Sequence, residues 1–377
     1  MGLLFAHDHK FRLIEGVYYS PGGLSDDVLS RYVDLFGNVT VVARVIREKK
    51  VDGKYSKIQN PNIRIIERKS LSSREFKSLI ASYAHIIARL PSRIGSETVY
   101  VSKKLKKDYL VEMVACPWDS YWNHSLKGKI VAPFGYLLNR YQVRFAPYVV
   151  YVTEHFLQKR YPTNGKSIGV SDVMLPEQSS ENILSKRKEK IISPAKEILL
   201  GTAAAINVPY KGQRFIIKAL AMMKKQGYTN YKYQLAGSGD PQKLLYYAKK
   251  YGVEDQVDFL GAMPHDKMPN WYDSLDIYIQ PSFQEGLSRA IVEAMSRATP
   301  CIVSDAGGNS ELISDEFICK IGFNYVKRFS KKILNLSLDQ KSMIKSAEEN
   351  LEASARYKKS VLDEKRVMFL EKFASAE

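Results

Sequence analysis

Pro281-Ser-Phe-Gln-Glu-Gly-Leu-Ser-Arg-Ala-Ile-Val-Glu-Ala-Met-Ser-Arg-Ala-Thr-Pro300 reads as a strand exit, a glycine-containing turn and a helix that stops before the next strand. With Ser288 as the helix cap, the amides of residues 288–291 have no partner inside the helix and suit an anion such as phosphate. Glu285 then stands just before the helix and Glu293 about one turn into it. Both carboxylates face one ligand in that arrangement. A carboxylate accepts paired hydrogen bonds from adjacent ring hydroxyls, so one acid can hold a ribose and the other a hexose. Two glutamates eight apart are a weak signal alone; the strand, turn, helix, strand frame around them gives it weight.

Outward from this segment the pattern is regular. Apolar runs at 197–205, 231–236, 257–261, 276–280 and 300–304 alternate with amphipathic stretches that begin near Lys211, Pro241, Asp266 and Ser288. Such alternation predicts βαβ units and a parallel sheet, with ligands at the turns that follow the strands. The N-terminal half repeats it more weakly, with strands expected at 15–19, 38–45, 62–66, 85–89, 109–116 and 148–153, and helices at 26–35, 74–83, 95–106 and 128–144. The reading is an α/β chain of two Rossmann-like, doubly wound parallel-sheet domains facing across a cleft. Residues 1–175 form the first, 176–196 a polar linker and 197–354 the second, and a helix at 355–377 is expected to pack back on the first.

The chain has 377 residues, 45% hydrophobic and 26% charged, which suits two buried cores. No run of about 18 apolar residues predicts a spanning helix, and the charged breaks at His7, Asp8, His9, Lys10 and Arg12 argue against a signal peptide. Three separated cysteines, Cys116, Cys301 and Cys319, fit neither a disulfide framework nor a zinc site and suit a reducing compartment. The net charge of +17 is concentrated early, with 24 Lys+Arg against 13 Asp+Glu in residues 1–150. A basic face of this kind attracts anionic headgroups, nucleic acid or a diphosphate-linked substrate. Nucleic acid is not expected, because no helix-turn-helix or RNA-binding aromatic motif accompanies the charge. Gly237-Ser-Gly239 lacks the third glycine of a nicotinamide fingerprint, and the next acid, Asp258, opens a strand where the fingerprint needs one at a strand end.

The segment 281–300, with the following Asp305-Ala-Gly-Gly-Asn-Ser-Glu-Leu, resembles the donor-binding segment of glycosyltransferase family 4, the retaining enzymes of GT-B fold. Leu199-Leu-Gly-Thr and Tyr210-Lys-Gly-Gln are similar to that family's first C-domain strand and phosphate-binding lysine loop, Leu235-Ala-Gly-Ser-Gly-Asp to its next strand exit, and Val257-Asp-Phe-Leu-Gly-Ala to the strand whose trailing loop receives the nucleobase. The resemblance implies a nucleoside-diphosphate sugar donor, UDP-linked by default. Its binding residues would be Lys211, Gly212, Gly237, Gly239, Ala262, Met263, Glu285, Gly286, Leu287, Ser288, Arg289 and Glu293. One departure stands out: Thr202 and Ala203 occupy the place where the family often carries a second basic residue, and Arg289 or Arg214 is expected to supply that charge, Arg289 preferred. No metal or other cofactor is expected, since fixed cations and helix amides can stabilise the leaving diphosphate.

In the N-terminal half Gly22 and Gly23 are expected to let an acceptor approach the backbone. The loop with Trp118, Asp119, Trp122 and His124 lies where the family has a histidine-bearing loop facing the transferred sugar. His124 and then Asp119 are the catalytic candidates there, beside Lys211 and Glu285, with the tryptophans on the acceptor side. The resemblance, which extends to capsule and surface-polysaccharide transferases, implies a saccharide acceptor that is lipid-diphosphate-linked, and a cytoplasmic enzyme peripheral to the inner face of the plasma membrane through its basic half. The rival readings are a nucleotide-sugar epimerase or phosphorylase of the same architecture and a basic nucleic-acid-binding protein.

Overall fold

The computed structural model describes residues 2–123, 125–177, 182–193 and 196–375. The chain divides into two compact units, one of Met1–Trp122, Leu126–Val170 and Asp363–Glu377, the other of Asn123–Ser125 and Ser171–Leu362.

In the first unit a parallel sheet runs in the order β5 (Ile63–Glu67), β3 (Val39–Arg47), β1 (Leu3–Ile14), β6 (His85–Leu90), β7 (Leu110–Met113), β8 (Tyr148–Tyr151), β9 (Lys166–Gly169). Its helices are α1 (Asp26–Phe36), α2 (Ser73–Ser82), α3 (Arg93–Lys104), α4 (Pro117–Trp122), α5 (Leu126–Arg144) and α6 (Phe156–Arg160). Strands covered on both faces read as apolar runs, and Leu3, Leu4, Phe5 and Ala6 of β1 are fully buried accordingly.

The sequence reading of a first strand at 15–19 is corrected here. Glu15 and Gly16, both at positive φ, form the turn of a hairpin in which β1 pairs antiparallel with β2 (Val17–Ser20), and the two-residue β4 (Ser56–Lys57) pairs β2 in turn. β1 itself runs past the polar residues 7–10, through a register shift between Ala6 and Lys10, and Asp8 and His9 find partners there. The Asp8 carboxylate accepts from the amides of Arg93 and Ile94 at 2.7 and 2.9 Å, at the start of α3. His9 Nε2 lies 2.9 Å from Ser20 Oγ. Arg89 donates to buried Glu112 at 3.1 Å, and the Tyr32 hydroxyl donates to the same carboxylate. Burial first, then the Arg89 charge, lowers His7 to about 3 and His9 to about 4, so both rings are neutral.

The second unit holds a six-stranded parallel sheet in the order β12 (Val257–Gly261), β11 (Tyr231–Ala236), β10 (Ile198–Ala203), β13 (Ile277–Gln280), β14 (Cys301–Ser304), β15 (Ile318–Cys319). This is the doubly wound strand order, whose ligands gather at the carboxyl ends of the central strands. The helices are α7 (Ile183–Ile192), α8 (Gln213–Lys225), α9 (Gln242–Tyr251), α10 (Met268–Ser274), α11 (Arg289–Ser296), α12 (Tyr325–Ser337), α13 (Gln340–Ser354) and α14 (Lys359–Ala374). The polar stretch expected to be a linker therefore contains α7. Its Arg187 is buried and donates to the Tyr272 carbonyl at 2.9 Å and to Thr299 Oγ1 at 3.0 Å, which ties the helix to the second sheet. From Asp363 onward α14 belongs to the first unit, where the Phe373 ring packs 5.3 Å from Tyr148 and 5.7 Å from His85.

The neutral histidines make stability depend on pH. Between pH 6.5 and about 3 the unfolded chain binds the His7 proton that the folded chain excludes, so stability is full above 6.5 and falls with pH, by up to ~1.4 kcal/mol per unit. Urea unfolding at pH 7 and 4.5 is expected to show a smaller loss across that interval for His7→Asn than for the unaltered chain.

Candidate active site

The exit turns of β10, β13 and β14 meet at the carboxyl edge of the second sheet, and backbone contacts hold them together. Lys211 ends a short 3₁₀ turn (Pro209–Lys211), followed by Gly212 at φ +78°. The Phe283 amide donates to the Tyr210 carbonyl at 2.7 Å, and a Cβ on Gly212 would lie 1.9 Å from the Pro281 carbonyl oxygen. On the other side the Gly308 amide donates to the Gly286 carbonyl at 2.7 Å, and Gly307, at φ +58°, sits where a Cβ would come within 2.0 Å of the Glu285 oxygen. Only glycine serves at both points, since a side chain would meet backbone in a left-handed conformation.

This clamp places Lys211 Nζ 2.7 Å from Glu285 Oε1. The same oxygen accepts from Gln280 Nε2 at 3.1 Å, and Gln280 also donates to Ser282 Oγ at 2.8 Å and accepts from the Tyr278 hydroxyl. Glu293 is held separately. Its Oε2 accepts from the Tyr272 hydroxyl at 3.0 Å, and His265 Nε2 stands 3.6 Å from its Oε1. The Tyr272 and Tyr278 rings pack 5.6 Å apart. Burial first, and then nearby negative charge, raises both phenols well above their ordinary value; Glu285 and Glu293 both act on Tyr278. The phenols therefore remain protonated donors. Two hydrogen-bonded sets, Glu285 with Gln280 and Tyr278, and Glu293 with Tyr272, thus meet where the buried Tyr278 and Tyr272 rings pack together.

Ser288 stands at the cap position of α11, but its side chain makes no capping bond. The first bond of that helix runs from the Val292 amide to the Ser288 carbonyl at 3.3 Å, so the amides of residues 289–291 precede the intrahelical ladder. Arg289 is exposed, and Gly286 and Leu287 are half-buried in the turn between Glu285 and the helix. Thr202 is fully buried and lies 2.7 Å from the Tyr233 hydroxyl, so it faces the sheet interior. Arg214 lies over the Phe215 ring and lines a small cavity with Asp240 and Lys243. Gly237 donates to the Gly261 carbonyl at 2.7 Å, and the Ile206 amide donates to the Ser238 carbonyl at 2.9 Å, bringing the β11 turn with Gly239 against the β10 exit. Ala262 and Met263 follow β12 and lead directly to His265, which reaches Glu293. Glu293 also opens onto a cavity of about 820 Å³ lined by His265, Tyr272, Arg297, Leu175 and Leu351, a volume in the range of small-molecule sites.

Sequence reading missed Tyr272, Gln280 and His265, the groups that orient the two glutamates. Gln280 ends a strand two residues before Ser282, which is the only signal it carried.

The acceptor-side candidates belong to the first unit. Trp118 and Trp122 stack at 5.2 Å and 13°, with Lys129 Nζ 5.5 Å over the Trp122 ring. Asp119 is engaged by Arg160 Nη1 at 3.1 and 3.2 Å, an ion pair that fixes α4 against the end of α6. Gly22 and Gly23 follow the hairpin strand β2, both at positive φ with open space where a Cβ would stand. His124 lies outside the described residues. Among the described residues no three His, Cys, Asp or Glu side chains converge as a metal ion would need.

A doubly wound parallel sheet whose carboxyl edge presents a lysine, two oriented carboxylates and an uncapped helix start is an edge suited to an anionic ligand. The chain belongs to the group 1 glycosyl transferases: the family described as "Glycosyl transferases group 1" matches residues 185–356, and Protein CapJ of Staphylococcus aureus is 35% identical over 340 residues, covering 85% of this chain and 83% of that one. Among solved structures, sucrose-phosphate synthase from Thermosynechococcus elongatus aligns with a TM-score of 0.67 at 16% identity, covering 100% of both chains. Anabaena HepE, solved with UDP-glucose, aligns with a TM-score of 0.65 at 17% identity over 100% of both. The shared architecture is the GT-B fold of two parallel-sheet domains.

The glycine clamp yields a stability test. Gly227 also sits at positive φ but has open space around it, so Gly227→Ala should cost only the ~1–2 kcal/mol of the left-handed backbone. Gly212→Ala adds the clash with Pro281 and should lower the melting temperature by several degrees more than Gly227→Ala does.

Proposed function

We propose that this chain is a retaining glycosyltransferase that moves a sugar from a nucleoside-diphosphate sugar, UDP-linked by default, to a saccharide acceptor in surface-polysaccharide synthesis. One observation carries the reading: Lys211 and Glu285 are paired at 2.7 Å at the strand exits, and the packed Tyr278 and Tyr272 rings bring the groups that hold Glu285 beside those that hold Glu293. The family membership, and the UDP-glucose named with HepE, support it.

In this reading the Lys211 ammonium and the amides that open α11 receive the diphosphate. Glu285, held by Gln280, orients the hexose, while Glu293, held by Tyr272, accepts from the ribose hydroxyls. Breaking the bond from sugar C1 to the β-phosphate oxygen leaves negative charge on the phosphate and positive character on C1. Lys211 and the helix amides stabilise the departing anion. The acceptor oxygen bonds to C1 on the face the phosphate leaves, and the proton of that hydroxyl passes to the phosphate. No enzymic nucleophile is needed, and fixed protein cations take the part a metal ion plays elsewhere. Arg289, exposed in the first turn of α11, is proposed to supply the second positive charge, since Thr202 faces the sheet interior. The stacked Trp118 and Trp122 offer ring faces to the acceptor, with His124 nearby in sequence. A lipid-diphosphate-linked acceptor and attachment of the basic N-terminal half to the inner membrane face complete the proposal.

Lys211→Ala is expected to lower kcat/KM for sugar transfer about 10²–10³-fold, the scale of one transition-state donor. Glu293→Gln should weaken UDP binding, read as a smaller thermal shift with UDP, while leaving the melting temperature of the free protein unchanged. Full transfer in both variants would remove this site assignment, and transfer abolished by EDTA would remove the metal-free mechanism.

A further inference from the structure

Helix α5 is turned inside out. The residues it buries are small or polar: Gly128, Ala132, Asn139, Gln142 and Val143. Gln142 Nε2 donates to the Ser96 carbonyl, and Ser96 Oγ donates to Gln142 Oε1, each at 3.0 Å, so polar bonds attach this face to α3. The large apolar residues point away from the protein: Leu126 is 81% exposed, Ile130 71%, Phe134 71% and Leu137 61%. At 3.6 residues per turn these four fall within an arc of roughly 80°, and Tyr141 lies inside the same arc. A water-facing helix normally has the opposite arrangement, and an apolar stripe this continuous marks a surface meant for an apolar medium.

The charges on the helix itself have one sign. Helix α5 contains Lys127, Lys129, Arg140 and Arg144 and no acidic residue. Lys103 of α3 sits 4.7 Å over the Tyr141 ring and 4.5 Å over Phe145, and Lys104 sits 4.5 Å over Tyr100, whose ring is exposed. Cations lying over aromatic rings beside an aliphatic stripe match the boundary between headgroups and acyl chains. Among the described residues no helix is long and apolar enough to cross a membrane, so α5 would lie along the surface.

We infer that the outer face of α5, with Lys103 and Lys104 of α3, is a docking surface for an anionic lipid bilayer, into which Leu126, Ile130, Phe134 and Leu137 insert. This rests on the membrane attachment proposed above and gives it a location. A second copy of the chain is a poorer occupant. Two-fold pairing through this face would set Lys103, Lys104 and Lys127 against their own copies with no acid on α5 to offset them.

The test is flotation of the full-length protein with vesicles of phosphatidylglycerol and phosphatidylcholine, and with phosphatidylcholine alone. The expected result is binding to the anionic vesicles that persists in moderate salt and drops at least 10-fold in the triple variant Ile130→Ser, Phe134→Ser, Leu137→Ser. Lys103→Glu with Lys104→Glu should weaken binding mainly at low salt. Because these side chains are exposed, the triple variant should keep its melting temperature and its transfer to a water-soluble saccharide acceptor. Equal flotation of the triple variant would overturn the assignment to α5 while leaving membrane attachment standing. A lipid-free dimer in sedimentation velocity, abolished by the triple variant and accompanied by no flotation, would overturn it in favour of self-association. Loss of transfer from donor to soluble acceptor in the unaltered chain would strike the proposed enzyme activity and not the docking surface.

Discussion

The close approach of backbone to backbone at the carboxyl edge of the second sheet governs the rest of that unit. The exit turns of β10 and β14 each press a left-handed glycine against a carbonyl of the β13 turn, Gly212 on Pro281 and Gly307 on Glu285. Amide bonds from Phe283 to Tyr210 and from Gly308 to Gly286 close the arrangement. With the turns fixed by main chain, Lys211 and Glu285 have little freedom to separate. Preorganisation of this kind spares a ligand the entropy of assembling its own site.

Beneath the clamp lies a layer of buried donors that sets the orientation of each carboxylate. Tyr278 and Tyr272 are kept protonated by burial, so they donate where an ionised phenol could only accept. Gln280 distributes its amide between Glu285 and Ser282 while accepting from Tyr278. Such a network is costly if half satisfied and rigid when complete. Its completeness in this sheet explains why polar residues sit in the otherwise apolar strand β13. The same logic operates in the first unit, where the bonds made by Asp8 and by the neutral His9 ring allow β1 to carry polar residues through the sheet.

The two faces of α5 show a different constraint. Most surface helices bury their large apolar residues, because removing that area from water stabilises the fold. Here the fold is satisfied by Gly128, Ala132 and Gln142, and the larger residues remain outside. Stability of the unit alone gives no reason for that choice, whereas the docking surface inferred for α5 would give one.

Alternating apolar runs and helical stretches determined the second sheet from sequence, because parallel strands buried on both faces must be apolar along their whole length. The segment 281–300 likewise revealed Glu285, the helix start and Glu293, since cap, turn and strand each have a local signature. β1 was hidden because Asp8, in the polar run at 7–10, is satisfied by groups far along the chain, the amides of Arg93 and Ile94. The pairing of Lys211 with Glu285, 74 positions apart, had no local signal either, nor did the engagement of Asp119 by Arg160. Sequence alone determined which elements form and which residue types stand at strand exits, because those follow from neighbours a few positions away. Tertiary structure alone decided which exits meet, which carboxylates are held and which helix face is left bare, because those depend on contacts that exist only once distant strands share a sheet.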